Sequence, residues 1–443
     1  MTIPLFTRVM TTGEFGLFNN FAAWQVILLS VLSLESYATL NRARLDYYGK
    51  DLQDYQFTLL TSSLGVTMLL VILLVCAPTI PETITDLDRR YLYIMVLYLL
   101  FYPAFTMFQM LQRVQYRYKL SALLSLGASL FSTGLSVYLV IVFDDSLMGR
   151  VVGQYVPFVV LGVCFYLWYW KTGGIFKISY LKYALSIAIP LVVATLGSQI
   201  LLLGCRIVTQ HVCGSDDVAY LSLATTVSQI VIILVNTLNN AWTPWLYDCL
   251  NEGKPQSAIK AFRLYIWGIS VLATVVILLG PELVMLLGGQ SYLSAIWLFP
   301  SFMFSCLLGM LANQYIYLET YHKDVWAGGI ATLIIGITNL PLCWLLLQQW
   351  GVAAVGLANA VSNALLIFAH KALLSKLLKV SDLFSARIVA SPLLFAAFAA
   401  FGSAALYSME VNLLRWICVL LLFLCATYVI WKKRFHLSGK TNQ

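Results

Sequence analysis

The chain has 443 residues, 60% of them in the apolar set from Ala to Cys, and only 10% are charged. A typical soluble protein carries about 25% charged residues. A mean hydropathy of +0.84 makes lipid the solvent for most of the surface. That excludes a nucleic-acid reader and a cytosolic enzyme, in spite of a net charge of +8.

About 20 consecutive apolar residues cross a bilayer as a helix. Runs of this kind between charge clusters predict thirteen spans: 17–40, 57–77, 92–112, 120–143, 149–170, 183–205, 217–241, 262–287, 293–318, 325–347, 351–376, 387–408 and 412–432. Stretches such as Leu60 to Cys76 and Ile417 to Ile430 are apolar on nearly every side. A barrel strand would alternate, so the spans are helices and the fold class is an all-α polytopic membrane protein. Ahead of the first span, Met1 to Arg8 is apolar but too short to cross. It is expected to be the tail of a truncated first helix, and fourteen spans would result if that helix were whole. The connections are short and hold no soluble domain, so any chemistry must take place between helices.

Assigning alternate connections to opposite sides puts twenty-one Lys and Arg on one face and six on the other, the six being Arg8, Arg89, Arg90, Arg150, Arg206 and Arg415. The positive-inside rule makes the first face cytoplasmic, together with the C-terminal tail of Lys432, Lys433, Arg434 and Lys440.

A charge at mid-span costs roughly 2.5–3.5 kcal/mol, so each polar residue inside a span calls for a reason. Taken along the chain, Arg8 closes the apolar stub, and Glu35 lies inside the first span. Glu35 is either a coupling-ion or cavity carboxylate, or a group reaching the inner interface. Gln109 and Arg113, with Gln112, end the third span on the cytoplasmic side. Arg113 would there either capture an incoming anion or serve as an ordinary topological residue. Arg206 ends an apolar helix as Arg8 does, 198 residues later, and each is followed by an acidic, Gly-containing turn into a long helix. Asn239 and Asn240 come just before Trp242-Thr243-Pro244-Trp245, a corner expected to anchor at the interface while the asparagines face the bundle. Gln314 and Glu319, with Tyr315 and Tyr317, place polar groups on two adjacent faces of one helix.

The repeat of helix, arginine, turn and helix suggests two pseudo-symmetric six-helix halves around a central cavity: 1–172, with its first helix truncated, and 173–379. An extra helix pair and basic tail, 380–443, follow. The histidines His211, His322, His370 and His436 have no ligand-like spacing, so no metal is expected. No Gly-rich loop followed by Lys-Ser/Thr is present, hence no ATPase and no cofactor. Of nine scattered cysteines, Cys205 and Cys213 flank one outer loop and could pair.

Ile3-Pro4-Leu5-Phe6-Thr7-Arg8 followed by Glu14-Phe15-Gly16, the stretch Leu238 to Tyr247, Gly288-Gly289-Gln290-Ser291-Tyr292, Asn339, and the turn Gly351 to Ala358 together resemble the polysaccharide transporter family. This is the O-antigen flippase family of the multidrug/oligosaccharidyl-lipid/polysaccharide exporter superfamily. The resemblance covers Ile3 to about Lys379 and departs in two places. The family's first helix is essentially absent, and Cys205 precedes Arg206 where many members have an acidic residue.

The resemblance implies a bacterial inner-membrane flippase that acts in O-antigen and lipopolysaccharide biosynthesis. It would move undecaprenyl-diphosphate-linked oligosaccharide to the periplasmic leaflet by alternating access, coupled to a proton or sodium gradient. Its partners would be the lipid-linked oligosaccharide, membrane lipids and the polysaccharide polymerase machinery. The alternatives are an exporter of small amphipathic drugs with the same fold, or a membrane polysaccharide polymerase. The short connections argue against the polymerase.

Overall fold

The computed structural model describes residues 3–172, 174–322, 326–376, 384–408 and 414–422. Every element among them is helical. A short α1 (Ile3–Val9) turns at Thr11 into α2 (Thr12–Leu32). Thr11 and Glu14 form a capping box there: the Thr11 N–H donates to Glu14 Oε2 at 2.8 Å, and the Glu14 N–H donates back to Thr11 Oγ1 at 3.3 Å.

The expected first span is not one helix. It breaks after Leu32, passes through Leu34 (φ 51°) and Glu35 (φ 43°), and resumes as α3 (Ser36–Asp46). Left-handed backbone is costly for side chains of this size. Ser63 helps to hold the break by donating its hydroxyl to Leu32 O at 2.9 Å. Then follow α4 (Gly49–Cys76), the short α5 (Thr79–Thr85), α6 (Arg89–Val114), α7 (Tyr118–Val142), α8 (Ser146–Lys171) and α9 (Ile178–Cys213). Next come α10 (Ser215–Asn251), α11 (Pro255–Leu278), α12 (Gly280–Gly288), a 3-10 turn (Gln290–Trp297) and α13 (Phe299–Tyr321). The chain continues through α14 (Trp326–Trp350), a second 3-10 turn (Gly351–Ala354), α15 (Val355–Lys376) and α16 (Ala386–Ser408).

Eleven helical runs among the described residues are long and apolar enough to span a membrane, and one of them, Trp326–Ser375, contains both α14 and α15. These runs hold the first twelve expected spans. Two of those are shortened, because Gly280-Pro281 ends α11 and starts α12, and because 290–297 winds as a 3-10 turn before α13. The expected span 412–432 lies outside the described residues except for 414–422, as do Lys323, Lys379, His436 and the basic tail. Large apolar side chains cover the outside: Leu130 is 72% exposed and Phe398 81%, which only a lipid solvent tolerates on this scale.

The chain forms two compact units, with the division inside α10 after Ser222. The first comprises α1 to α9, the start of α10, and α14; the second comprises the rest of α10, α11 to α13, α15 and α16. These units cut the chain elsewhere than the sequence halves 1–172 and 173–379. The reason is local: α14 lies against α9 at small residues. A Cβ on Gly197 would lie 2.5 Å from Leu333 N, and one on Gly336 would lie 2.6 Å from Gly197 O, so the two backbones touch as only glycine allows.

The second unit is built on ridges spaced four residues apart: Val227, Val231 and Val235 on α10, Ile269, Ala273 and Ile277 on α11, and Phe299, Met303 and Leu307 on α13, all buried. In the first unit, connections that alternate along the chain gather at its two ends. At one end Gln210 Nε2 donates to Asp86 at 2.7 Å, His211 meets Ile84 O at 2.9 Å, and Thr12 bonds Asp216. At the other, Lys177 pairs with Asp54 at 2.9 Å and Arg44 donates to Val114 O at 3.0 Å.

Candidate functional site

On α6, Tyr102, Thr106, Gln109 and Arg113 stand at steps of four, three and four residues, which places them along one stripe. With Met110, and with Leu29, Ser33 and Tyr37 from the broken α2–α3 segment, they line a cavity of about 250 Å³ in the first unit. Two serines of α7 hold the polar members. Gln109 Nε2 donates to Ser125 Oγ at 2.7 Å, and Arg113 Nε donates to Ser121 Oγ at 3.1 Å. Using Nε fixes the guanidinium plane; among the described residues the terminal amino groups of Arg113 have no partner, and the residue is exposed.

Tyr102 stacks on Tyr98 with ring centroids 4.4 Å apart, and Phe158 meets both rings edge-on. Glu35 is buried, 4% exposed, at the α2–α3 break, two residues before Tyr37, a lining residue. The break therefore carries the Tyr37 ring to the cavity formed by the α6 stripe, while the Glu35 carboxylate is not part of the lining.

The second unit holds a separate polar cluster. Tyr265 on α11 donates to Asn239 Oδ1 at 2.6 Å, and Trp242 Nε1 donates to Gln314 Oε1 at 2.8 Å. Gln314 Nε2 donates onward to Tyr265 at 3.3 Å and to Asn239 at 3.5 Å. Trp242 also stacks on Tyr265 at 5.3 Å. The expected corner at Trp242 to Trp245 does not exist, because α10 runs through Pro244 to Asn251. Trp242 is buried with Gln314, and both Trp242 and Trp245 line an apolar groove of about 480 Å³ between α10 and α11. Asn240 is exposed on the opposite face and takes no part.

Glu319 is buried, and its Oε1 lies 2.7 Å from His370 Nδ1 on α15. Sequence reasoning set His370 aside for lack of ligand spacing. The available signal was the polar series Asn359, Asn363 and His370 at helical steps within an apolar span.

Arg8 is exposed in the last turn of α1. Arg206 is not at a helix end: α9 continues seven residues beyond it, to Cys213, and stops where Gly214 takes φ +92°. The two arginines are therefore not equivalent. For the same reason Cys205 and Cys213 do not flank a loop. Eight helical residues separate them by about 12 Å, beyond disulfide reach, and Asn339 Nδ2 donates to Cys205 Sγ at 3.3 Å.

Two further arginines, counted in the sequence only for topology, are buried in the structure. Arg150 is 7% exposed and packed between Phe6 (3.4 Å to the ring centroid) and Phe18 (4.0 Å), which ties the α1–α2 corner to α8. Arg415 is buried and paired with Glu282. At the polar end of α4, Asp54 accepts from the Lys177 ammonium, and that bond raises the lysine above its ordinary range.

Span-length helices with polar clusters buried inside each unit define the class: a polytopic membrane protein with a transporter fold. The fold is similar to that of "Lipid II flippase MurJ, inward closed conformation", with a TM-score of 0.73 at 12% identity over 98% of this chain and 97% of that one. It is also similar to an inward-facing multidrug resistance MATE family transporter of the MOP superfamily, at 0.66 and 14% over 86% and 96% of the two chains. A MOP superfamily transporter from Pyrococcus furiosus scores 0.54 at 13% identity, covering 86% of this chain and 92% of its own. No curated protein sequence matches. The family model described as "Polysaccharide biosynthesis protein" matches residues 1–249, and the chain belongs to that family.

Proposed function

We propose that the protein is a flippase for a polyprenyl-diphosphate-linked oligosaccharide, an O-antigen or similar repeat unit, in the bacterial plasma membrane. It would deliver the headgroup from the cytoplasmic to the outer leaflet by alternating access, driven by an ion gradient and feeding a polymerase machinery. The observation that carries this reading is the α6 stripe and its cavity. A sugar diphosphate loses its hydration in the bilayer and needs replacement partners. Arg113 offers two terminal amino groups suited to a phosphate's oxygens. Gln109 offers an amide, and Tyr37 and Tyr102 offer ring faces and hydroxyls for a sugar. The excess of Lys and Arg on one set of connections supports a cytoplasmic C-terminus.

A second reading has a specific observation behind it. The buried Glu35 carboxylate of the first unit would suit the charge of a cationic amphipathic drug. Deleting the gene in its source organism separates the two. Under the flippase reading, surface polysaccharide falls, the lipid-linked unit accumulates, and the wild-type chain restores both while Arg113→Gln restores them poorly. Unchanged polysaccharide with a new sensitivity to cationic compounds would replace it with the drug reading.

A further inference from the structure

The connection from α6 to α7 is basic and has no acid near it in the chain. Arg113, Arg117 and Lys119 follow one another there, and no Asp or Glu occurs between Asp88 and Asp144. Two other cations at this end of the first unit are paired, Lys177 with Asp54 at 2.9 Å and Arg42 with Asp46 at 3.6 Å. Among the described residues, Arg44, Arg117 and Lys119 have no ion-pair partner. Arg117 and Lys119 are exposed, and Arg44, on α3, is half-buried.

The turn has an unusual shape for its sequence. The Tyr116 N–H donates to Arg113 O at 3.0 Å, and the Arg117 N–H donates to Gln112 O at 2.8 Å. This pair of bonds ends a helix with one residue in the left-handed region, where glycine is usual and a tyrosine is strained. Here that residue is Tyr116, at φ 61°. Arg44 closes over it: Nη1 donates to Val114 O at 3.0 Å, and the guanidinium carbon lies 5.6 Å from the Tyr116 ring centroid. The Arg44 Nε is buried and has no acceptor among the described residues. Tyr116 and Tyr118 are 69% and 58% exposed and meet edge to face at 6.0 Å. One short turn thus presents unpaired cations and two phenol hydroxyls together.

An apolar face continues from it. After Lys119, the exposed residues Leu123, Leu126 and Leu130 of α7 follow at steps of four, three and four, along one stripe. From Lys119 to Leu130 the helix rises about 16 Å, close to half of the roughly 30 Å hydrocarbon core. A molecule lying on this face meets cations first and then one leaflet's depth of leucines. A soluble phosphate would use only the first part, whereas a phospholipid uses both.

We propose that the α6–α7 turn binds the headgroup of an anionic phospholipid, with one acyl chain along the leucine stripe of α7. Arg117 and Lys119 take the phosphate, Arg44 adds its charge from α3, and the two tyrosines donate to headgroup oxygens. The site adjoins Arg113 without including its cavity contacts, and it stands whatever substrate the protein moves.

The test titrates the purified full chain in detergent with phosphatidylglycerol and with phosphatidylcholine, counting bound lipid by native mass spectrometry. The wild type should retain phosphatidylglycerol in preference. Arg117→Gln with Lys119→Gln should weaken that retention about tenfold or more, because each cation near an anionic headgroup contributes separately. Lys171→Gln with Lys182→Gln removes the same charge from exposed positions at the same end of the unit. It should change retention less than about twofold, since those lysines lie outside the turn. Tyr116→Gly separates ligand from fold. Glycine relieves the left-handed backbone, so the melting temperature should hold or rise. Loss of the ring under Arg44 should still weaken phosphatidylglycerol about threefold.

Equal losses in the two double variants would mean that net charge attracts the lipid without a site, and would overturn the proposal. Equal retention of both lipids by the wild type would do the same. So would a polyprenyl diphosphate that displaces phosphatidylglycerol at lower concentration and is lost in Arg117→Gln with Lys119→Gln, because the turn would then belong to the transported lipid.

Discussion

Arg113 takes its meaning from the atom it uses. Its Nε is occupied by Ser121, so the planar end of the guanidinium is presented in a fixed orientation, whereas a lysine would offer only a mobile point charge. Arg113→Lys should therefore cut glycan export about tenfold at equal membrane abundance, equivalent to about 1.4 kcal/mol. Ser121→Ala should cost less, because the charge survives and only its orientation loosens. The lipid-linked pool in the deletion strain, complemented by each variant, reads both. Equal export by Arg113→Lys and wild type would remove the bidentate role. Gln109 and Arg113 were legible in the sequence because polar groups in an apolar span stand out. Tyr37 and Tyr102 were not: with 25 Tyr in the chain, most of them interfacial or core residues on composition alone, nothing marks two as cavity walls until α2–α3 and α6 are placed together.

At the scale of elements, helices and their rough limits could be read from hydropathy, while their irregularities could not. The break at Leu34 and Glu35 contains no Gly or Pro, the usual local signals, and part of its support comes from Ser63 on a different helix. The continuation of α9 past Arg206 went unseen because an arginine near a span end looks like a boundary, whereas the backbone stops only at Gly214. The contact of α9 with α14 is also tertiary, and it carries a prediction. Gly197→Leu would drive a side chain into the backbone of Leu333 and should destabilise the protein by about 1–3 kcal/mol or more. Gly134→Leu, in α7, meets nothing within 4 Å and should leave the melting temperature in detergent unchanged. Matching losses in both variants would mean that glycine flexibility, and not close approach, is what matters at 197. Asp54→Asn tests the other end of the first unit. Asp54 accepts from the Ile175 N–H at 2.9 Å and from Lys177 at 2.9 Å, and hydrogen bonds to a charged group contribute about 1.5–3 kcal/mol. A melting temperature within error of wild type would show that the pair is only a surface contact.

For the whole molecule, the proposed direction of transport depends on which face is inside, and that assignment rests on a charge count tied to a span alternation. The alternation has structural support: connections that a helical zigzag puts on the same side do meet, as Asp86 with Gln210 and Thr12 with Asp216 at one end, and Asp54 with Lys177 at the other. The sign of the orientation comes from the twenty-one-to-six distribution of Lys and Arg, since moving basic residues across the membrane is unfavourable. Exposed positions in short connections turn this into a measurement. In a background freed of reactive cysteines, Asp88→Cys, between α5 and α6, and Asp144→Cys, between α7 and α8, should react with a membrane-impermeant maleimide in intact cells. Gln115→Cys, between α6 and α7, and Glu252→Cys, between α10 and α11, should react only after permeabilisation. The reverse pattern would put Arg113 at the outer face, where it could not receive a headgroup arriving from the cytoplasm. A mixed pattern within either pair would break the alternation itself, and the helical zigzag would have to be retraced before any direction of transport could be assigned.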